Sequence, residues 1–465
     1  MTTTSFKRYG QVFAALAGFE LLSWLAFRSS IAQILVTATL TLTAVWLAVR
    51  RPTWLVYISI AELVVGSLGH LFEMEFNGVT VSIRMILFVI LMLRWSVDRW
   101  LRRVNQPQVV KEVSYVVMMV VVLLAASWGY FREQSIGAVW SDANAFLYLL
   151  ILLPWSTYLR RDPNWTRTVL TILLAGASLV AVKSWVVVML FGQNIAALPT
   201  VYRWIRDTGV GEITFINANI FRVFFQSQIY AVIVFALTFA AWVFGKAPRW
   251  WLLPLGLSAL GAYISLSRSF WLGIAAALIV IAVWGVRQAG WSAVRRGLVI
   301  IPVAVVVWLG MNWALYFPNV VSTGEQRANI LLTRLQGSGA ASAASARSNQ
   351  VRPLLAAIAH HPVIGSGFGA TVTYYNPDPR INGWRTTSAF ELGYLDLWLK
   401  LGLVGLAAYG WWLWRTGSRL RTSSWRWWLI APTAALLVTN TVSPYLNHPL
   451  GLGWLMLVAL YAYES

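Results

Sequence analysis

Apolar residues fill this chain in windows of roughly 17–25 positions, the length a helix needs to cross a bilayer, and short polar joints separate the windows. They fall at 10–27, 31–49, 53–70, 79–96, 114–131, 144–159, 168–190, 223–244, 250–267, 269–286, 298–316, 390–414, 427–445 and 450–463. The pattern predicts an all-α polytopic membrane protein of about 14 transmembrane helices. Two joints are much longer than the rest, at about 191–222 and 317–389. The second holds the low-complexity stretch "GSGAASAAS" (Gly337 to Ser345), which reads as flexible, and helical patterning resumes in "RSNQVRPLLAAIAHHP". The chain therefore divides into N-terminal spans (1–190), a loop with central spans (191–316), the large, partly helical loop (317–389) and C-terminal spans (390–465).

Charge orients these spans. Basic clusters at Lys7/Arg8, Arg50/Arg51, Arg94 to Lys111, Arg160 to Arg167, Lys246/Arg249, Arg287 to Arg296 and Arg415 to Arg426 occupy every second joint. The positive-inside rule then makes both termini cytoplasmic and both long loops extracytoplasmic. After Lys7 and Arg8 the first apolar run continues as a span, with no signal-peptide cleavage site. The net charge of +20 sits mostly in short joints, which argues against nucleic acid as partner, and a composition 58% hydrophobic excludes a soluble fold. With no cysteine, disulfides and thiolate metal sites are excluded. The 28 tryptophans fit interfacial belts.

A few charges stand where that rule does not put them. Arg268 falls in the turn between two adjacent spans, Arg222 at the start of the eighth span, Arg206 in the loop before it, and Arg84 near the outer end of the fourth. All four are predicted at the outer face, where a rigid fork of donors suits the phosphates of an anionic lipid such as a polyprenyl diphosphate. Snorkelling or pairing with a carboxylate is the other reading of each. Glu391 opens the twelfth span and could act as a general base, or simply favour a helix N-terminus. Asp396 and Lys400 are spaced to pair with each other, while Glu20, Glu62 and Lys183 lie inside spans and read as interhelical partners. His360 and His361 gather no evident metal-ligand set, and "GSGFG" (Gly365 to Gly369) has neither the strand nor the GK[ST] of a phosphate loop.

Three pieces together resemble the O-antigen ligase and polymerase superfamily of bacterial envelope glycosyltransferases. "SLSRSFWLG" (Ser265 to Gly273) is similar to its serine–arginine turn. "RSNQVRPLLAAIAHHPVIGSGFG" (Arg347 to Gly369) is similar to its arginine, amphipathic helix and glycine element. "ELGYLDLWLKLGLVG" (Glu391 to Gly405) is similar to its key residue followed by "G-L-x-G". The likeness covers roughly 200–410. It implies transfer of an undecaprenyl-diphosphate-linked glycan to an acceptor hydroxyl at the periplasmic face of the inner membrane, with no cofactor and no metal. The implied catalytic set is Arg268, Arg222 and Glu391, with Arg206, Arg84, Arg347 and His361 binding substrate; Arg206 is the alternative partner of Arg268. Partners would be the lipid-linked glycan, a glycan, lipid or protein acceptor, and membrane lipid. Glu391 stands where ligases carry histidine, a departure that favours a polymerase or another transferase of the superfamily. A lipid-linked-sugar flippase is the rival from another class. A peptidoglycan-type transferase is another, with Asp378 as its catalytic acid.

Overall fold

The computed structural model describes residues 3–76, 79–192, 198–217, 220–316, 338–377, 382–422 and 426–464. The N-terminal part comprises α1 (Thr3–Ala26), α2 (Ser30–Arg50), α3 (Pro52–Val65), the hairpin β1 (Glu73–Phe76) and β2 (Val79–Ser82), α4 (Ile83–Trp100), α5 (Gln108–Lys111), α6 (Val113–Phe131), α7 (Ile136–Leu147), α8 (Leu152–Leu159) and α9 (Trp165–Gly192). The centre holds α10 (Leu198–Asp207), the hairpin β3 (Gly211–Asn217) and β4 (Ile220–Phe225), α11 (Ile229–Val243), α12 (Leu252–Ile264), α13 (Arg268–Ala289), α14 (Trp291–Gly297) and α15 (Ile300–Tyr316). Then come α16 (Ser338–His360), the hairpin β5 (Val372–Asn376) and β6 (Gly383–Thr387), α17 (Gly393–Arg419), α18 (Arg426–Thr439) and α19 (Pro449–Glu464).

Each predicted window contains helix, but those at 79–96 and 223–244 begin in strands, and those at 53–70 and 427–445 run past the helix end. Among the described residues, seven helical stretches are long and apolar enough to cross a membrane by length and composition: 30–50, 113–131, 136–159, 165–192, 226–243, 268–289 and 291–314, with shorter apolar helices at 52–65 and 449–463. The bundle is built around α9 and α11. Of residues 226–243, 89% are buried inside the protein, against 17% of α2's window, so α2 is a peripheral helix whose apolar residues are largely exposed on the outside of the bundle.

Three two-stranded antiparallel hairpins correct the all-helical expectation. Each lies in a connection that the basic clusters skip, so all three share one end of the bundle, the hairpin end. Their sequences show why. "EMEF" and "VTVS" are short extended segments joined in sequence by Asn77-Gly78, a pair that favours tight hairpin turns, and "GEITFIN" and "IFRVFF" are rich in β-branched and aromatic residues. One other expectation changes. The stretch 338–345 is the start of α16, because alanine is the strongest helix former and it supplies half of those residues. Residues 317–337 and Asp378 lie outside the described residues.

The interhelical pairs expected from buried charges are present. Lys183 Nζ meets Glu20 at 2.6 Å, joining α9 to α1, and Arg84 grips Glu62 through Nε at 2.9 Å and Nη2 at 3.0 Å, joining α4 to α3. A charge buried in an apolar bundle persists only when paired in this way.

Candidate functional site

Arg222 and Arg268 meet at the α12–α13 turn. That turn is tight: Leu266 takes a positive φ of 47°, Ser265 Oγ donates to the Ala262 carbonyl at 2.7 Å, and Ser267 N–H donates to Ser265 Oγ at 3.2 Å. Arg222 projects from β4 and donates Nε–H to the Ser265 carbonyl at 2.9 Å, with its guanidinium 4.6 Å from the Phe224 ring. It is therefore a strand residue, and the helical run of the eighth span begins only at Gln226. Arg268 is the first residue of α13, where the positive end of the helix dipole adds to its charge.

A run of small polar side chains carries the turn across to α18. Ser267 Oγ and Ser269 Oγ lie 2.8 Å apart, Ser443 Oγ donates to Ser269 Oγ at 2.8 Å, and Thr439 Oγ1 donates to the Ser269 carbonyl at 3.3 Å. The same end of α18 receives the start of α17: Tyr394 O–H donates to the Leu437 carbonyl at 2.9 Å, and Gly393 packs so closely on Asn440 that a side chain would not fit. Glu391 is just ahead of Gly393, two residues before α17 rather than on it. Its carboxylate accepts from Arg347 Nε at 2.6 Å, and its N–H donates to Gln350 Oε1 at 3.3 Å, both from α16. Residues 437–443 are thus contacted from one side by Ser269, the neighbour of Arg268, and from the other by Gly393 and Tyr394, which follow Glu391.

The other expected residues go elsewhere. Arg84 is buried against Glu62. Arg206 is exposed on α10 beside Tyr202 O–H, at 3.2 Å, and lines a separate recess of about 320 Å³ with Glu212 and Thr214. His361 accepts from Arg132 Nη1 at 2.6 Å, at the end of α6.

The glycine element proves to be architecture. Gly402 has φ 65°, which breaks α17 into two helical stretches. The amides after the break, Leu403 and Val404, donate to the carbonyls of Pro362 and Val363 at 3.0 and 3.1 Å. In return Ser366 N–H takes the Leu399 carbonyl at 2.7 Å and Gly367 N–H takes that of Lys400 at 3.2 Å. Residues 362–367 thus satisfy a backbone that the kink leaves without helical partners. A side chain on Gly402 would strike the Val363 carbonyl, and one on Gly365 (φ 83°) would strike the backbone of Lys400 and Gly402.

Beside this junction lies a cavity of about 530 Å³. Lys400 Nζ stands 2.8 Å from Asp396, as the spacing predicted, and 2.8 Å from Asp142 of α7. Asp142 also accepts Gly369 N–H at 2.7 Å, and Asn447 donates to Asp396. His448, in the α18–α19 loop, is half-buried, and desolvation with Arg84 nearby pushes its imidazole down to about 3, which favours the neutral ring. Its Nδ1 accepts the Leu450 N–H at 3.2 Å, leaving the ring proton on Nε2. Asp142, Asn440, Ser443, Asn447 and His448 were not singled out in the sequence. Asp142 meets Lys400 across 258 positions, and no local spacing announces such a contact.

Residues 253–410 match the O-antigen ligase family. The match supports the O-antigen ligase and polymerase superfamily, and its span contains Arg268, Arg347, His361, Glu391 and both glycine elements, but not Arg222, Arg206 or Arg84. No curated protein and no solved structure matches the chain.

Proposed function

Starting from the O-antigen ligase domain at residues 253–410, we propose that this protein is an integral membrane glycosyltransferase. It moves a glycan from undecaprenyl diphosphate to an acceptor hydroxyl on the periplasmic face of the bacterial inner membrane, as a polymerase or ligase. One observation carries the reading: the hydrogen bond from Arg222 Nε to the Ser265 carbonyl brings a second arginine to the turn that bears Arg268. It also favours Arg222 over Arg206 as that partner. The hairpin end is periplasmic in this reading, since the basic clusters avoid its connections and the termini lie at the other end.

The chemistry follows from charge. Arg222 and Arg268 hold the diphosphate and neutralise the negative charge that grows as its bond to the sugar breaks. Glu391 accepts the proton of the acceptor hydroxyl while that oxygen bonds to the anomeric carbon from the opposite side, with inversion. Undecaprenyl diphosphate leaves, and Arg347 steadies the Glu391 carboxylate between turnovers. Glutamate in place of the ligases' histidine favours polymerisation. No metal and no cofactor enters this scheme.

The test is a proteoliposome assay with an undecaprenyl-diphosphate oligosaccharide, read by gel. A ladder of multiples is expected, and Glu391→Gln should remove it. Wild-type rate in Glu391→Gln would reduce that residue to a structural one. A single shift on an added acceptor would make the protein a ligase. Movement of intact substrate between leaflets, without a new glycosidic bond, would make it a transporter.

A further inference from the structure

The 530 Å³ cavity is separate from the arginine turn, and only the loop 440–448 divides them. Ser443 bonds to the arginine turn through Ser269, while Asn447 and His448 line the cavity. Ala389 and Phe390 line it too, so the cavity reaches the residues next to Glu391.

Two properties define what could occupy it. The first is its charge. Each cation on its wall is matched within the protein: Arg84 by Glu62, and Lys400 by both Asp142 and Asp396. A diphosphate would find no surplus positive charge there. What the wall offers instead is carboxylate and amide groups beside aromatic rings, with Asp142, Asn144 and Asn447 near Trp140, Phe88 and Tyr148. That mixture suits a neutral polyhydroxylated ring, whose hydroxyls need donors and acceptors and whose apolar faces need aromatic surface.

The second property is its mouth. α4 and α7 touch each other only sparsely and are bridged by the turn 148–151. Val89 of α4 and Trp140 of α7 both line the cavity, yet they are 49% and 54% exposed. Both lie in the half of their helix nearer the hairpin end, so the gap between α4 and α7 is the place for a mouth.

We propose that this cavity binds the uncharged sugar end of a membrane-anchored glycolipid, which enters between α4 and α7 with its lipid anchor left in the bilayer. In the glycosyltransferase reading, on which this role rests, the occupant is the acceptor. Its hydroxyl comes to Glu391 from one side of the 440–448 loop and the diphosphate-linked donor from the other.

Occupancy can be tested without turnover. The full chain in phosphatidylcholine nanodiscs is irradiated with a diazirine-bearing dodecyl glucoside, and adducts are mapped by peptide mass spectrometry. Adducts should concentrate on residues 85–89 and 140–147. Excess dodecyl glucoside should reduce them about tenfold, and dodecyl phosphate should not. Met85→Trp, which narrows the mouth, should remove them, with Val89→Trp as the second variant if the first does not fold. Adducts spread evenly around the lipid-facing helices would overturn the proposal, as would equal or stronger competition by dodecyl phosphate. Site-specific labelling in a protein that makes no glycosidic bond would leave the cavity as a glycolipid site and sink the transferase reading. A full product ladder with no site-specific labelling would do the reverse.

Discussion

Two groups of charge lie at the hairpin end of this protein, and they are held in opposite ways. At the cavity, side chain holds side chain across helices: Arg84 on Glu62, Lys400 between Asp142 and Asp396. Around the α12–α13 turn the described contacts run largely through backbone and small hydroxyls, as with Arg222 on the Ser265 carbonyl and Ser443 on Ser269. The first arrangement spends each charge on a neighbour and stabilises the bundle, because a buried ion is tolerated only with its partner. The second fixes the position of a guanidinium through a neutral backbone carbonyl, at the turn that opens α13.

Substitutions should separate the two. The largest effect is expected from Gly402→Ala, which forces a side chain into the Val363 carbonyl at a positive φ; no monodisperse protein should survive size-exclusion chromatography in detergent. Lys400→Met should come next. It leaves the buried Asp396 and the partly buried Asp142 without their shared cation, and thermal unfolding in detergent should report a loss of about 3–5 kcal/mol. Arg268→Ala should behave in the opposite way, with product formation down by about 10²–10³-fold and an unchanged unfolding midpoint. If Arg268→Ala melted the protein while Lys400→Met kept its stability, the contrast between the two groups would be inverted.

The effect that is smallest near neutral pH concerns His448. Its imidazole is held at about 3 in the folded protein against an ordinary 6.5. Below pH 6.5 the unfolded chain takes up a proton that the folded one refuses, so stability falls as pH drops from about 6.5 toward 3. The slope is at most about 1.4 kcal/mol per pH unit. His448→Asn should flatten that part of a stability–pH curve, and an unchanged slope would show that the ring is not held neutral.

These contrasts were only partly legible beforehand. Apolar windows located the helices because burial in lipid demands an unbroken apolar run, and that demand is local. The ion pairs of Glu20, Glu62 and Lys183 were legible for the same reason, since an intramembrane charge needs a partner. The identity of the partner was legible only for Asp396 and Lys400, four positions apart. Arg222 is expected at the outer start of the eighth span because "IFRVFFQSQ" runs into an apolar window, yet hairpin pairing with "GEITFIN" claims it as a strand. Asp142 gave no signal, since its meaning depends on a helix 258 positions away.

The hydrogen bonds between residues 362–367 and the kink of α17 have a practical consequence for engineering. Neither segment has a complete set of backbone partners by itself: the loop completes the helix and the helix completes the loop. A chimaera that takes residues 361–370 from one relative and 399–405 from another joins two half-structures cut from different templates. The two stretches are one cassette, interrupted in the gene but continuous in space, and should be transplanted together.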